Sequence, residues 1–286
     1  MDAWARWVLH DRFGGDENAM RAHMPYLESV RDRVIANAAI QEGDVVLDVG
    51  SGDGLIGFGA LSPVGPSGRV IFSDVSQDLL DHCDRAIKAL GAEDRCSTIR
   101  TPAETLEGIS SASVDVVTTR SVLIYVDDKR AAFDSFHRVL RPDGRVSIFE
   151  PINRRMNQMN RNAFLGFDIA GVEELANKVS EVIKRTSPEA MVDFDETDLF
   201  QLALDTGFED VRVTLELKSQ ELRGVMDWAN VKNTSPNPLA PTLAEAIAQA
   251  LTNDEAERFE AHLAKNSNKK TQWANQSASA FLQAFR

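Results

Sequence analysis

Long apolar runs are missing from this chain of 286 residues. No stretch approaches the ~20 consecutive apolar residues of a membrane span. The first residues, with Asp2, Arg6, Asp11 and Arg12, lack the apolar segment of a signal peptide. Both absences predict a cytoplasmic protein without a membrane partner. Cysteine is scarce: Cys83 and Cys96 are the only two, which gives no disulfide framework and no metal-ligand spacing. Each reads as a small apolar residue, Cys83 inside a helical pattern and Cys96 at a strand start. An excess of positive charge is also absent. Lys and Arg number 31 against 44 Asp and Glu, a net charge of −13. That balance opposes nucleic acid, whose binding rests on cations that neutralise phosphates. A small molecule is the better-matched partner. Hydrophobic residues at 43% are enough for a sizeable core, and no repeat or low-complexity tract interrupts it.

What the chain does have is concentrated in Val45-Val46-Leu47-Asp48-Val49-Gly50-Ser51-Gly52-Asp53-Gly54. A short apolar run bounded by glycines is the pattern of a strand covered on both faces. Glycines at the strand-to-helix turn allow close backbone approach to a ligand, and a following helix over Leu55 to Leu61 presents free N–H groups there. This is a nucleotide-type loop. Gly52-x-Gly54-x-x-Gly57 also satisfies the dinucleotide fingerprint literally. Asp48 argues for a different ligand, because a pyrophosphate beside that carboxylate is electrostatically unfavourable, whereas a ligand bearing an ammonium and a sulfonium gains from it.

From residue 34 to 150 strands and helices alternate, which predicts a parallel α/β sheet. The strands read as Val45 to Val49, Arg69 to Asp74, Ser97 to Arg100, Val114 to Thr119 and Arg145 to Phe149. Ser76 and Gly91 bracket a helix, a second spans about Asp128 to Leu140, and Arg141-Pro142-Asp143-Gly144 reads as a turn. The rhythm breaks over 151–192, which shows helical composition and no strand. It resumes at 193–220 with a helix from Glu196 to Asp205 and a strand from Asp210 to Leu217. Residues 221–270 form another irregular stretch, with helical patterns over Leu243 to Ala250 and Glu255 to Leu263. A closing strand is expected within 271–286. The expected organisation is a helical cap over 1–33, an α/β core over 34–150 continued at 193–220 and 271–286, and two helical insertions. In open α/β sheets ligands sit beyond the carboxyl ends of the strands, so the additions are expected to act as a lid there.

The run Asp48-x-Gly50-x-Gly52-x-Gly54 after an apolar strand resembles motif I of the class I S-adenosylmethionine (SAM)-dependent methyltransferases. Phe136-His137-Arg138-Val139-Leu140-Arg141-Pro142-Asp143-Gly144-Arg145-Val146 resembles the helix-turn-strand signature of the small-molecule members related to quinone biosynthesis. The resemblance is firm over about 34–150 and loose over about 195–217. It implies a Rossmann-like, doubly wound, mostly parallel seven-stranded sheet, with SAM as cofactor. It further implies that Gly50, Ser51, Gly52 and Gly54 wrap the cofactor's amino-acid part with Asp48 near its ammonium. Asp74 would accept from the two ribose hydroxyls, Val75 would lie against adenine, and Ala103 and Glu104 would meet the adenine edge. Arg120 and Ser121 would face the methionine end. The Asn/Asp-Pro-Pro-Tyr/Phe loop of the amino-group methyltransferases is absent, since Arg120-Ser121-Val122-Leu123-Ile124-Tyr125 stands in its place. Arsenic methyltransferases resemble this core too, but need several cysteines.

Glu150, at the end of the fifth strand, is the candidate general base. His137 and Arg138 read as packing residues. His10 and Arg12 are read as either closing over the cofactor, with Arg12 or Arg120 pairing its carboxylate, or as solvated. Trp228, Asn230 and Asn233 are read as pocket or core. The reading is transfer of a methyl group from SAM to oxygen or carbon, and less to nitrogen, of a small apolar or aromatic metabolite. Two alternatives stay open. One is an NAD-type oxidoreductase, for which Tyr125 and Lys129 match a Tyr-x-x-x-Lys relay literally; the other is a non-catalytic SAM-binding protein.

Overall fold

A computed structural model describes residues 1–159, 163–165, 167–221, 228–267 and 274–286. The strands among them are Val45–Val49 (β1), Arg69–Asp74 (β2), Cys96–Arg100 (β3), Val114–Arg120 (β4), Leu140–Pro151 (β5), Ala163–Phe164 (β6), Phe167–Asp168 (β7), Glu209–Glu221 (β8) and Ala274–Phe285 (β9). Seven of them make one sheet in the order β3-β2-β1-β4-β5-β9-β8. The pairs from β3 to β5 are parallel, and β9 runs antiparallel to both β5 and β8. The strand order reverses between β1 and β4, the switch point at which such sheets hold ligands.

Helices cover both faces. Ala3–Leu9 (α1) and Glu17–Ala38 (α2) precede β1; Leu55–Val64 (α3), Gln77–Leu90 (α4) and Lys129–Val139 (α5) connect the parallel strands. Asn153–Met159 (α6), Glu173–Thr186 (α7) and Glu196–Asp205 (α8) follow β5; Trp228–Val231 (α9), Leu243–Ala250 (α10) and Asn253–Ser267 (α11) follow β8. Alternation along the strands divides the core. Val46, Val70, Phe72 and Val116 pack with Ala60, Leu80, Cys83 and Ile87 of α3 and α4. Leu47, Val117, Val146 and Ile148 pack with Phe133 and Phe136 of α5 and Leu199 of α8 on the other face. These two apolar layers, excluded from water on either side of one sheet, are the doubly wound α/β architecture. A further apolar cluster joins Phe164, Phe167, Val179, Ile247, Phe259 and Leu263, so the helices after β5 and β8 share a core of their own.

Local chemistry sets the helix ends. Ser76 caps α4 by accepting from the Leu79 N–H at 3.1 Å, and Gly91 ends it at φ 62°. Asp195 and Asp198 make a reciprocal capping box on α8.

The structure departs from expectation at several places. The Arg141–Gly144 turn is instead part of β5, as a bulge between the Val114–Leu140 and Val116–Arg145 pairs. Asp143 takes φ 63° there, and the bulge is pinned by backbone bonds from Asp143 to the Arg286 carbonyl and from the Arg286 N–H to Gly144. Residues 151–192 contain the β6–β7 hairpin, where Phe164 and Phe167 turn into the helical cluster. Strand β8 extends to Glu221, beyond Leu217, because β9 gives it a partner along that length. Helix α2 runs through position 33, since Val30 and Val34 bury against Phe149 and Phe281 of the sheet. Residues 160–162, 166, 222–227 and 268–273, all within the expected insertions and closing segment, lie outside the described residues. No helix among the described residues is long and apolar enough to cross a membrane.

Candidate cofactor and acceptor site

Register brings three sequence-distant residues to one edge. Val49 pairs with Ser73 on one side and Thr119 on the other, so Gly50, Asp74 and Arg120 follow side by side at the carboxyl ends of β1, β2 and β4. Above them opens a cavity of about 420 Å³, within the size range of small-molecule sites.

The loop after β1 is held in place by its own backbone. The Ser51 N–H donates to the Ser73 carbonyl at 2.9 Å, and the Gly52 N–H donates to Asp74 Oδ2 at 2.9 Å. Gly52 has φ 56°, and a Cβ built there meets nothing within 4 Å. Its missing side chain therefore leaves space on the cavity side. Gly50 and Gly52 line the cavity; Ser51 and Gly54 do not. Ser51 is buried, and Gly54 lies against the Phe58 ring. Gly57 serves packing, because a Cβ there would come within 2.3 Å of the Phe72 ring.

Asp48 is placed differently from the expectation. It sits buried beneath the loop, with Oδ2 accepting from the Gly57 N–H at 2.9 Å and Oδ1 from the Thr118 hydroxyl at 3.0 Å. It does not line the cavity. Burial pushes its carboxyl up to about 7, against the lowering effect of those two hydrogen bonds. Its work here is to tie β1, β4 and the first turn of α3 together.

Asp74 does line the cavity. Its second oxygen accepts from the Ser76 N–H at 2.9 Å, so two backbone donors fix the carboxylate and each oxygen keeps a free lone pair. Burial raises its pKa. Val75, Ala103 and Glu104 continue the wall on the β2–β3 side. Thr101 also lines it, and among the described residues its buried hydroxyl has no hydrogen-bond partner.

The opposite half of the cavity is cationic and aromatic. Arg120 and Ser121 follow β4, and Arg12 reaches in from the segment after α1. Arg12 lies over the Trp7 and Phe13 rings at 5.6 and 5.4 Å. Burial, and then the field of Arg120, lower its pKa to about 10. Trp4, Trp7, Tyr26, Tyr125, Met191 and Pro236 close this side. Trp4 meets Tyr125 edge-on at 4.9 Å.

Sequence reading did not single out Trp4, Trp7, Tyr26, Asn153, Met191 or Pro236. The first two, with Val8, recur at helical spacing on one face of α1, a signal that was there to read. His10 ends α1 at the surface and does not line the cavity. Trp228 packs on Phe167 at 5.8 Å, Asn230 donates to Asp16 at 2.6 Å, and Asn233 donates to the Ala229 carbonyl; none of the three lines it.

Glu150 faces away from the expected direction. It is fully buried, Oε1 accepts from the Val122 and Leu123 N–H groups at 2.9 Å each, and Oε2 accepts from Ile124 at 3.3 Å. Burial raises its carboxyl to about 7 against those three donors. Three backbone donors on one carboxylate make it the support of the 120–125 wall. Lys129, the partner proposed for Tyr125 in a dehydrogenase relay, is turned elsewhere: its ammonium donates to Asp193 at 2.7 Å and to the Val126 carbonyl at 3.0 Å. His137 packs against Phe208 at 5.3 Å. Arg138 clamps the carbonyls of Ile109, Thr105 and Leu106.

The residues present suit SAM. The free space at Gly52, the two-oxygen acceptor at Asp74 and the orphaned Thr101 hydroxyl fit a nucleoside, and the guanidiniums fit a carboxylate at the other end. Residues 46–144 match the family described as Methyltransferase domain. Over that segment the chain carries a SAM-dependent methyltransferase domain. Curated relatives of two kinds are similar to it. It is 27% identical over 190 residues to the ubiquinone/menaquinone biosynthesis C-methyltransferase UbiE of Francisella tularensis subsp. novicida, covering 63% of this chain and 73% of that one. It is 35% identical over 121 residues to an arsenite methyltransferase of Halobacterium salinarum, covering 41% of this chain but only 29% of that one. The solved structure of the YcgJ protein from Bacillus subtilis matches with a TM-score of 0.55 at 14% identity, covering 90% of this chain and 97% of that one; this likeness speaks for the fold alone.

Proposed function

We propose that this enzyme moves the methyl group of SAM to oxygen or carbon of a small, largely apolar or aromatic metabolite held under the α1 side of the cavity. The observation that carries the reading is the make-up of that wall: Trp4, Trp7, Ile124, Tyr125, Phe149 and Met191 line the same cavity as Arg120. An apolar wall favours ligands that gain from burial. The cofactor, when bound, supplies an already activated methyl group. Gly50, Gly52, Asp74, Ala103 and Glu104 are assigned to holding it, with Asp48, Ser51 and Gly54 supporting the loop from behind. Arg12 and Arg120 are assigned to anionic oxygens.

What remains for the chain is orientation and the exclusion of water. Neither an imidazole nor the Glu150 carboxylate reaches the cavity wall, which supports positioning over proton abstraction. A metalloid acceptor, as the arsenite relative's name suggests, finds no thiol there. Cys83 is buried, its thiol pushed up to about 12 by burial, and neither cysteine lines the cavity. The test is calorimetry with SAM, S-adenosylhomocysteine and NAD, followed by mass spectrometry of methyl transfer to a panel of phenols, enols and amines. Tight binding of S-adenosylhomocysteine with transfer to oxygen or carbon is expected. Preference for NAD, or transfer to amines alone, would overturn the reading.

A further inference from the structure

The cavity is electrically lopsided. Its lining carboxylates, Asp74 and Glu104, both stand on the β2–β3 side, and its lining guanidiniums, Arg12 and Arg120, both stand on the β4 and α1 side. Among the described residues neither guanidinium has a hydrogen bond or an ion pair, and Arg12 is held only by its aromatic neighbours. Such isolation is uncommon for a cation in a partly dehydrated cleft. The other titratable groups nearby do not relieve it. Burial and the two arginines lower the His23 pKa, and burial raises those of Tyr26 and Tyr125, so all three are neutral at pH 7. Two carboxylates lie within the field of the arginines, Asp53 near Arg12 and the buried Asp48 near Arg120, but neither reaches ion-pair distance.

Two cations therefore share one half of the site. The cofactor assigned above brings a single carboxylate to it, together with two positive centres. One guanidinium is left without a counter-charge. We propose that the methyl acceptor binds as an organic anion, a small aromatic or apolar acid whose carboxylate is held by whichever of Arg12 and Arg120 the cofactor does not occupy. The planar fork of an arginine suits a carboxylate, and the aromatic side chains of Trp4, Trp7 and Tyr125 suit the ring beside it. This narrows the substrate class and rests on the methyltransferase reading.

The two ideas fail separately in one experiment. S-adenosylhomocysteine is titrated first into the full chain; no binding sinks the cofactor assignment. Benzoate and its uncharged isostere benzamide are then titrated into the complex. Benzoate should bind at least about tenfold more tightly than benzamide, the ratio expected for a charge-assisted hydrogen bond. Of Arg12→Gln and Arg120→Gln, one should weaken S-adenosylhomocysteine binding and the other should erase the preference for benzoate. The matching lysine variant should restore part of each, which separates loss of charge from loss of fold. Equal binding of the two probes, no binding of benzoate to the complex, or a preference that survives both glutamine variants would each overturn the proposal.

Discussion

Asp74 and Glu150 are both buried carboxylates, yet their surroundings assign them different work. Asp74 is held by two backbone donors and opens to the cavity. Asp74→Ala should weaken S-adenosylhomocysteine binding by about 1–3 kcal/mol, the range for hydrogen bonds to a charged group; calorimetry showing unchanged affinity would remove it from the site. Glu150 accepts three backbone bonds and supports the wall from behind. Glu150→Gln is expected to keep most of the turnover, while Glu150→Ala should lose both stability and cofactor affinity; abolished turnover in a stable Gln variant would make it a base after all. Its titration gives a second reading. A glutamate in the unfolded chain loses its proton near ~4.3, whereas folded Glu150 keeps it to about 7. The native state binds the extra proton between those values. This group's contribution to stability therefore falls as pH rises through that window, and levels off above it. Urea unfolding of the wild type against Glu150→Gln should show a relative loss on the order of 3 kcal/mol across the window. A flat difference would mean that the carboxylate is ionised throughout.

At the scale of single elements, the loop between β1 and α3 contrasts two glycines. Gly52 faces open space and Gly57 faces the Phe72 ring. Gly52→Val should abolish S-adenosylhomocysteine binding with a modest stability loss, since a β-branched group at positive φ blocks the ligand's approach. Gly57→Ala should do the reverse, costing about 1–3 kcal/mol in thermal or urea unfolding by overpacking and leaving affinity largely intact. Much of this element was legible in the chain. Its apolar strand and spaced glycines, like the Ser76 and Gly91 limits of α4, follow from short-range rules that the fold obeys. The direction in which Asp48 and Glu150 point is not legible in the chain, because an acidic residue at a strand end does not reveal whether its side chain faces ligand or backbone. Only the packing of Gly57, Thr118 and the 122–124 turn decides that. The Pro142 turn failed for a related reason: its residues are taken up by a bulge that Arg286, remote in sequence, holds open.

For the whole molecule, the cavity is closed by pieces from distant parts of the chain. Trp4, Trp7, Arg12 and Tyr26 come from the first thirty-three residues, Asn153 and Met191 from 151–192, and Pro236 from 221–270. The first and last of these segments are tied by the Trp7 indole donating to the Ser235 carbonyl at 2.9 Å and by Asn230 on Asp16. The first is also fastened to the β2–β3 side of the cavity, where the Ser76 hydroxyl donates to Asp2 at 2.7 Å. Hydrogen exchange should slow in α1, α2, α6 and the 228–240 segment when S-adenosylhomocysteine and an acceptor bind together. Unchanged exchange in all of them would refute a lid. Chain order and aromatic content point to such a cover, but which side chains reach the cavity depends on long-range contacts that no local pattern encodes.

Among the described residues strand β8 has a single neighbour in the sheet, β9, which also separates it from β5. On the ribosome β8 is therefore made well before the strand that must slide in beside it. At synthesis rates of about 5–20 residues per second it waits for seconds as a bare, thirteen-residue edge. An unpaired strand of that length is a template for wrong partners. Slower synthesis between the two strands is therefore expected to lengthen that exposure and lower the yield of native enzyme, which synonymous slow codons over 222–273 and a count of soluble product would check.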